Sequence, residues 1–242
     1  MSRQGELIDY VFEGRGEPLS GEVLCWMDAS ARFTVFVEAY RDKIRKKIRV
    51  TPDAESLLDV RSELEVAYRL LKDRRLSVAY EPYASARRRG PDFAVTYRVN
   101  LIFNVEVARV RVAETGLEGL DLPRREERLM RLFLYKLGQM QPGMANLLVI
   151  HTREELARSI DLGRLMQEVK MRTDRKDPSF YAATHYSNPA AFYKDFLRLT
   201  GILVWAPGGP LWVNKQARPA LSDDVLRLVF LLASGDMPAS ST

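Results

Sequence analysis

The sequence is poor in the residues that form disulfides and bind zinc. Among its 242 residues there are one cysteine, Cys25, and two histidines, His151 and His185. One cysteine cannot form an intramolecular disulfide, and this set is too small for the usual zinc site of Cys and His ligands. The composition therefore predicts a reducing compartment. Any chemistry is left to carboxylates, lysines, arginines and hydroxyls, and a hard cation is the metal that suits such groups.

Long apolar runs are also missing. No stretch approaches the roughly 18 apolar residues that a spanning helix needs, and the N-terminus lacks the apolar core of a signal peptide. We therefore expect a cytoplasmic protein with no membrane partner. Lys and Arg number 37 against 32 Asp and Glu, and the net charge of +5 permits a polyanionic partner without requiring one.

Helical and extended patterns alternate along the chain, which indicates an α/β or α+β fold with a mixed sheet. The helical patterns cover residues 31–49, 53–73, 123–140 and 153–169. The extended patterns cover residues 76–81, 92–97, 101–112 and 146–151. We expect a single domain over residues 1–242. Its parts are a core at 53–152, an N-terminal helical extension at 1–52 and a C-terminal helix and strand extension at 153–242.

Three carboxylates are predicted to converge in this core. Asp92 and Glu106 lie on successive strands, and a hairpin turn centred on Val99 would pair them directly across, with Cβ atoms about 5 Å apart. Two like charges at that distance favour a hard cation between them. The alternative is that Glu106 is a solvated or arginine-paired carboxylate near a strand end.

The third carboxylate comes from the helix over residues 53–73. At about 100° per residue, Glu63 lies inside the apolar arc of this helix and points toward the core. Glu65 falls among basic residues instead, where it can form an ordinary i,i+4 pair with Arg69. We therefore expect Glu65 on the surface.

Four short segments occur in a fixed order: Glu63 on its helix, Tyr-Glu-Pro at 80–82, Gly-Pro-Asp-Phe at 90–93, and Asn-Val-Glu-Val-Ala-Arg at 104–109. Together they resemble the PD-(D/E)XK nuclease superfamily over roughly residues 53–151. The resemblance implies a restriction-endonuclease-like fold, a central mixed β-sheet flanked by helices. It also implies a nuclease that uses Mg²⁺ or Mn²⁺ to hydrolyse the phosphodiester bonds of DNA.

The same resemblance assigns roles to individual residues. Asp92 and Glu106 would bind the metal together with the backbone carbonyl of Val107, and Glu63 would assist, so that Glu63, Asp92 and Glu106 are the expected catalytic residues. The family's lysine should stand two residues after the second acid, but that position is Ala108.

Arg109 does not replace this lysine, because it points to the opposite face of a regular strand. Three explanations stay open: a degenerate module that binds nucleic acid without cleaving it, a lysine that has moved, or a deliberately replaced lysine. Lys136 is the candidate for a moved lysine, since it falls inside the apolar arc of the helix over residues 123–140. The simpler interpretation is a side chain whose stem covers apolar surface.

Basic residues near these carboxylates are the candidates for binding a polyanion. Arg87, Arg88 and Arg89 directly precede the loop that leads into Asp92, and we expect them to bind nucleic acid, DNA in particular, because arginine matches phosphate oxygens. A second cluster at residues 41–49, which includes Lys47, is more simply explained as a solvated face at a helix C-terminus. A homodimer and a structural α/β protein without activity stay open as alternatives.

Overall fold

A computed structural model describes residues 2–83, 90–111, 122–182, 184 and 186–235, without the side chains of residues 122–125. The helices are α1 (Arg3–Phe12), α2 (Leu19–Ala29), α3 (Ala31–Val50), α4 (Ala54–Leu70), α5 (Leu122–Leu137), α6 (Glu154–Ser159), α7 (Leu162–Asp174), α8 (Pro178–Ala182), α9 (Pro189–Phe196) and α10 (Asp223–Ser234). The strands are β1 (Leu76–Tyr80), β2 (Phe93–Tyr97), β3 (Leu101–Arg109), β4 (Ala145–His151), β5 (Leu199–Trp205) and β6 (Leu211–Val213).

The strands form one mixed sheet in the order β1-β2-β3-β4-β5-β6. β2 is antiparallel to both of its neighbours, β1 and β3. β3, β4 and β5 run parallel, and β6 returns antiparallel to β5. The predicted α/β class with a mixed sheet is therefore confirmed. β3 lies inside the sheet and is buried on both faces, as its apolar residues in both alternating positions predict.

Helices cover the two faces of the sheet. One face packs in a core with residues of α1 to α4 and α10, to which β3 contributes Val105 and Val107. The opposite face packs in a second core with residues of α5 to α9, to which β3 contributes Ala108. Because side chains alternate along a strand, Glu106 lies on the same face as Ala108, toward α5.

The hairpin between β2 and β3 has the predicted register. Phe93 pairs with Val105 and Tyr97 with Leu101, so that the turn is centred on Val99 and the register extends to place Asp92 opposite Glu106. The turn contains no glycine. Arg98 instead adopts a left-handed backbone conformation with a φ of 54°, which is uncommon for a non-glycine residue.

Three predicted elements differ from the observed ones. The strand expected over residues 101–112 ends at Arg109. The helix expected over residues 153–169 is two helices, because Asp161 accepts a hydrogen bond from the backbone N–H of Arg164 and so begins α7 as a new helix. The N-terminal extension contains α1 and α2 in addition to α3, which corresponds to the helix predicted over residues 31–49. In the described part of the chain, every helix is too short or too polar to cross a membrane.

Candidate active site

The site lies where β3 extends beyond its neighbour β2. The ladder between these strands ends at the pair of Phe93 and Val105, so that in the described sheet β3 pairs only with β4 from Glu106 onward. This open edge leaves the N–H of Val107 free of a strand partner. It donates to Asp92 Oδ2 at 2.8 Å. The contact fixes the carboxylate of Asp92 beside the residue that follows Glu106.

Glu63 on α4 points toward the carboxylate of Asp92, and its inward direction is the one that the helical period predicted. It is 7% exposed. Its Oε2 atom accepts a hydrogen bond from the Tyr80 hydroxyl at 2.8 Å and from the Lys47 ammonium at 2.5 Å. The same Lys47 nitrogen lies 4.0 Å from Asp92 Oδ1, so the carboxylates of Glu63 and Asp92 are separated by at most the sum of these two distances.

Lys136 reaches Glu106 from α5, across the face that carries Ala108. Its Nζ lies 2.5 Å from Glu106 Oε1, and the Glu106 side chain is 1% exposed. The simpler interpretation, in which Lys136 only covers apolar surface, omits this partly buried ion pair and is not sufficient. The structure therefore places an ammonium group beside the second acid although position 108 is alanine.

One oxygen in the site has no partner. Glu106 Oε2 is buried and makes no hydrogen bond with the described residues. A buried carboxylate oxygen without a partner is unfavourable, and such atoms in native proteins commonly mark a bound ion, a water or a catalytic role. Glu106 therefore has one oxygen that Lys136 binds and one that is available.

Burial and mutual repulsion dominate the electrostatics of the three carboxylates. Burial and the charge of Asp92 raise the pKa of Glu106 to about 8, and the pairing with Lys136 offsets this only in part. The same two causes raise the pKa of Glu63 to about 7 against the opposing effect of Lys47. Burial also raises the pKa of Asp92. A cation placed among these groups would stabilise their charged forms.

The carboxylate oxygens of the site suit a hard cation, although the two ammonium groups already neutralise part of the negative charge of the carboxylates. Within the described ranges, no three acidic, histidine or cysteine side chains are arranged as a ready metal site. Asp92 Oδ1 is 4.0 Å from Lys47, beyond hydrogen-bond distance, and Glu106 Oε2 has no partner. These two oxygens are of the kind that Mg²⁺ and Mn²⁺ prefer. In donor chemistry, Asp92 and Glu106 therefore fit one such ion.

A cleft of about 710 Å³ runs along the open edge of β3, between α4 and α5. Ala108 and Glu63 form part of its wall. Its basic lining residues are Lys47, Arg109, Arg111, Arg128, Arg131 and Lys136. The cleft thus joins the carboxylates to a surface with six basic side chains, of which Arg109 and Arg111 pair with Asp59.

Arg109 points away from Ala108, as predicted. Its guanidinium group pairs with Asp59 at 2.8 Å and with Glu55 at 2.8 Å, both on α4. The side chain is 10% exposed, so these contacts satisfy its charge within the protein. Arg109 is therefore not a substitute for the lysine that the resemblance leads us to expect at position 108.

The prediction for Glu65 was wrong. Glu65 is buried, with 8% exposure. It makes the expected pair with Arg69 at 2.8 Å, but it also binds Arg61 at 3.1 Å and His151 Nε2 at 3.0 Å. The prediction from the helical period assumed that α4 buries only one face. In the structure α4 contacts α2 and α10 as well as the sheet, so the side that carries Glu65 is covered too.

The two predicted basic clusters have different outcomes. Arg87, Arg88 and Arg89 lie outside the described residues, and their role in binding nucleic acid stays a prediction. Lys47 was assigned to a solvated cluster, yet its side chain is only 27% exposed and lies inside the site. The missed signal is its position on α3 next to Ile48 and three residues after Ile44, which are both buried.

Comparison of the chain with family models, with curated proteins and with solved structures gave no match. Function is therefore inferred from the geometry of this site.

Proposed function

We propose that this protein is a metal-dependent nuclease that hydrolyses phosphodiester bonds of DNA, with Lys136 of α5 in the role of the lysine that Ala108 replaces. The observation that carries the proposal is the contact between Lys136 Nζ and Glu106 Oε1. It supplies an ammonium group next to the acid although α5, not β3, provides it. The antiparallel β1, β2 and β3 followed by a parallel β4 support the restriction-endonuclease-like fold that the resemblance implies.

Asp92 and Glu106 would hold Mg²⁺ or Mn²⁺, together with the backbone carbonyl of Val107. When bound, such an ion activates water and stabilises the charge that develops on the phosphoryl oxygens. Lys136 adds a positive donor at the same place, which stabilises that charge further. Glu63 takes part through its position beside Asp92.

The basic cleft supports a polyanionic substrate. Arg128 and Arg131 lie on α5 one turn apart and line the cleft with Lys136. Arginine side chains on one helix face can follow consecutive phosphates of a nucleic acid backbone without reading its sequence. The proposal therefore places the phosphate to be cleaved at the carboxylates and its neighbours along α5.

A binding module of the same architecture that has lost turnover is the second candidate. It is favoured by Ala108 and by the two lysines that pair with the carboxylates in place of a metal. Such a protein would bind DNA in the same cleft without cutting it.

Cleavage of supercoiled plasmid and of labelled single-stranded DNA tests the proposal. We expect cleavage that requires Mg²⁺ or Mn²⁺, stops with a chelator and is abolished in Asp92→Asn and Glu106→Gln. Binding without cleavage, in a shift assay that also responds to Arg128→Ala, would favour the second candidate. Absence of both cleavage and binding would contradict both.

A further inference from the structure

Lys47 belongs to α3, which lies outside the segment that resembles the nuclease motif. Its Nζ is 2.5 Å from Glu63 Oε2, 3.4 Å from Glu81 Oε1 and 4.0 Å from Asp92 Oδ1. It also lies over the ring of Tyr80, 5.4 Å from the centroid. One ammonium group thus contacts carboxylates from α4, from the residue after β1 and from the residue before β2.

The carboxylate oxygens of the site fall into two groups. Glu63 Oε2 is already bound by both Lys47 and the Tyr80 hydroxyl. Glu106 Oε2 has no hydrogen-bond partner among the described residues. Asp92 Oδ1 lies 4.0 Å from the Lys47 ammonium, which is beyond hydrogen-bond distance. Lys47 therefore occupies the cation position beside Glu63, whereas Glu106 Oε2 and Asp92 Oδ1 are the carboxylate oxygens that stay available to a metal.

The formal charge supports the same division. Four carboxylates and two ammonium groups meet in the ion pairs of the site, namely Glu63, Glu81, Asp92, Glu106, Lys47 and Lys136. With all of them ionised, two negative charges remain. One divalent cation cancels this excess, whereas a second one would leave a net positive charge even if it displaced Lys47 from Glu63.

We propose that Lys47 is a built-in cation that fills the place of a second metal ion beside Glu63, so that the site binds one divalent ion, between Asp92 and Glu106. This inference rests on the proposed function, since it takes the metal as given. Lys47 acts as a positioning residue: it neutralises Glu63, holds it near Asp92 and keeps it from ligating the metal. The N-terminal helical extension thereby becomes part of the site.

Counting Mn²⁺ ions on the chelator-treated full chain tests this, by isothermal titration calorimetry and by the electron paramagnetic resonance of free Mn²⁺. We expect one ion per chain in the wild type. Lys47→Met removes the ammonium group and frees Glu63, so we expect two ions per chain. Lys47→Arg keeps a cation there, and we expect one.

Lys43→Met is the matched control. Lys43 lies one turn earlier on α3, and its Nζ donates to the backbone carbonyls of Tyr80 and Glu81 at 2.9 Å each. We expect it to bind one ion. Circular dichroism and thermal melting verify that each variant is folded, and Lys47→Gln serves as a second neutral variant should Lys47→Met not fold.

Two outcomes overturn the inference and leave the nuclease proposal intact: two ions in the wild type, or one ion of unchanged affinity in the folded neutral variants of Lys47. The metal-dependent function itself is overturned if the wild type binds no Mn²⁺ at millimolar concentration, or if the Asp92→Asn variant binds Mn²⁺ as tightly as the wild type. The two failures are thus distinguishable.

Discussion

Lys136 on α5 and Glu106 on β3 are 30 residues apart in sequence and form a partly buried ion pair. The acid comes from the inside of the sheet and the ammonium group from the helix that covers it. Their contact lies on the face of β3 that also carries Ala108, the position at which the motif of the resembling family has lysine. The pair leads to the first prediction.

Lys136→Met should lower DNA cleavage by about 10² to 10³, because a positive donor at the reacting phosphate is removed. The double variant with Ala108→Lys should recover most of this loss, since residue 108 lies on the same face and lines the same cleft. Initial cleavage rates on plasmid at saturating Mg²⁺ measure both effects. Lys215→Met, an exposed lysine outside the cleft, is the control and should cleave as the wild type does. Wild-type rates in Lys136→Met would contradict the role of Lys136.

Divalent ions should stabilise the wild type but not Asp92→Asn. Burial raises the pKa of Asp92, which means that its charge is unfavourable in the fold, so the metal-free variant should melt no lower than the wild type. At ten times the dissociation constant, Mg²⁺ should add about 1.4 kcal/mol to the wild type, or roughly 3 to 6 °C in Tm. Scanning calorimetry with and without Mg²⁺ measures this difference.

Asp59→Asn provides the matched control for that experiment. Asp59 lines the same cleft but pairs with Arg109 and Arg111. Its variant should keep the gain in Tm from Mg²⁺, whatever its own stability. An equal gain in Asp92→Asn would show that the ion binds elsewhere.

Arg128→Ala combined with Arg131→Ala should weaken DNA binding to a similar extent for all sequences. Each lost phosphate contact lowers the slope of log K against log salt by about 0.9 for a duplex. Binding titrations of a nicked or uncut duplex in Ca²⁺, at several salt concentrations, measure the slope. Arg158→Ala, on the exposed side of α6, should leave it unchanged. An unchanged slope in the double variant would exclude the cleft as the phosphate-binding surface.

Glu65 should stabilise the fold in a pH-dependent way. Burial opposes its charge, but the hydrogen bond with His151 and the charges of Arg69 and Arg61 lower its pKa from 4.5 to about 2. A depressed pKa stabilises the fold above pH 4.5, and this contribution is lost as the pH falls through about 2.

Unfolding by urea compares Glu65→Gln with the wild type across this range. We expect a difference of about 3 kcal/mol near pH 6 that shrinks steadily between pH 4.5 and the lowest accessible pH. Glu154→Gln removes an exposed i,i+4 pair with Arg158 and should change the free energy of unfolding by less than about 0.5 kcal/mol. A difference for Glu65→Gln that does not depend on pH would contradict the charge argument.

Local patterns predicted the parts of the site that local geometry determines. The hairpin register follows from the residue count around Val99, and the inward direction of Glu63 follows from the helical period. Both depend on a single element or on two strands joined by a short turn. The i,i+4 pair of Glu65 with Arg69 is local in the same sense and is also present.

The parts that were missed depend on how distant helices pack. The helical period puts Lys47 beside the buried Ile44 and Ile48, but the carboxylates that it meets depend on how α3 lies against α4. Glu65 is buried because α2 and α10 cover the side of α4 that a wheel with one apolar arc assigns to solvent. The contact of Lys136 with Glu106 likewise depends on the docking of α5, although the wheel did place Lys136 on the buried side.

Because Lys136 comes from α5, the site is complete only when α5 is docked on the sheet. An acid and a lysine two residues apart on one strand are adjacent as soon as that strand forms. Here a chain with its sheet formed and α5 undocked has the acids without their lysine. A shift of α5 by one turn, about 5.4 Å, would separate the pair as well. Under the proposed function, DNA cleavage thus depends on the tertiary packing of one helix, and a partly folded chain would not cleave.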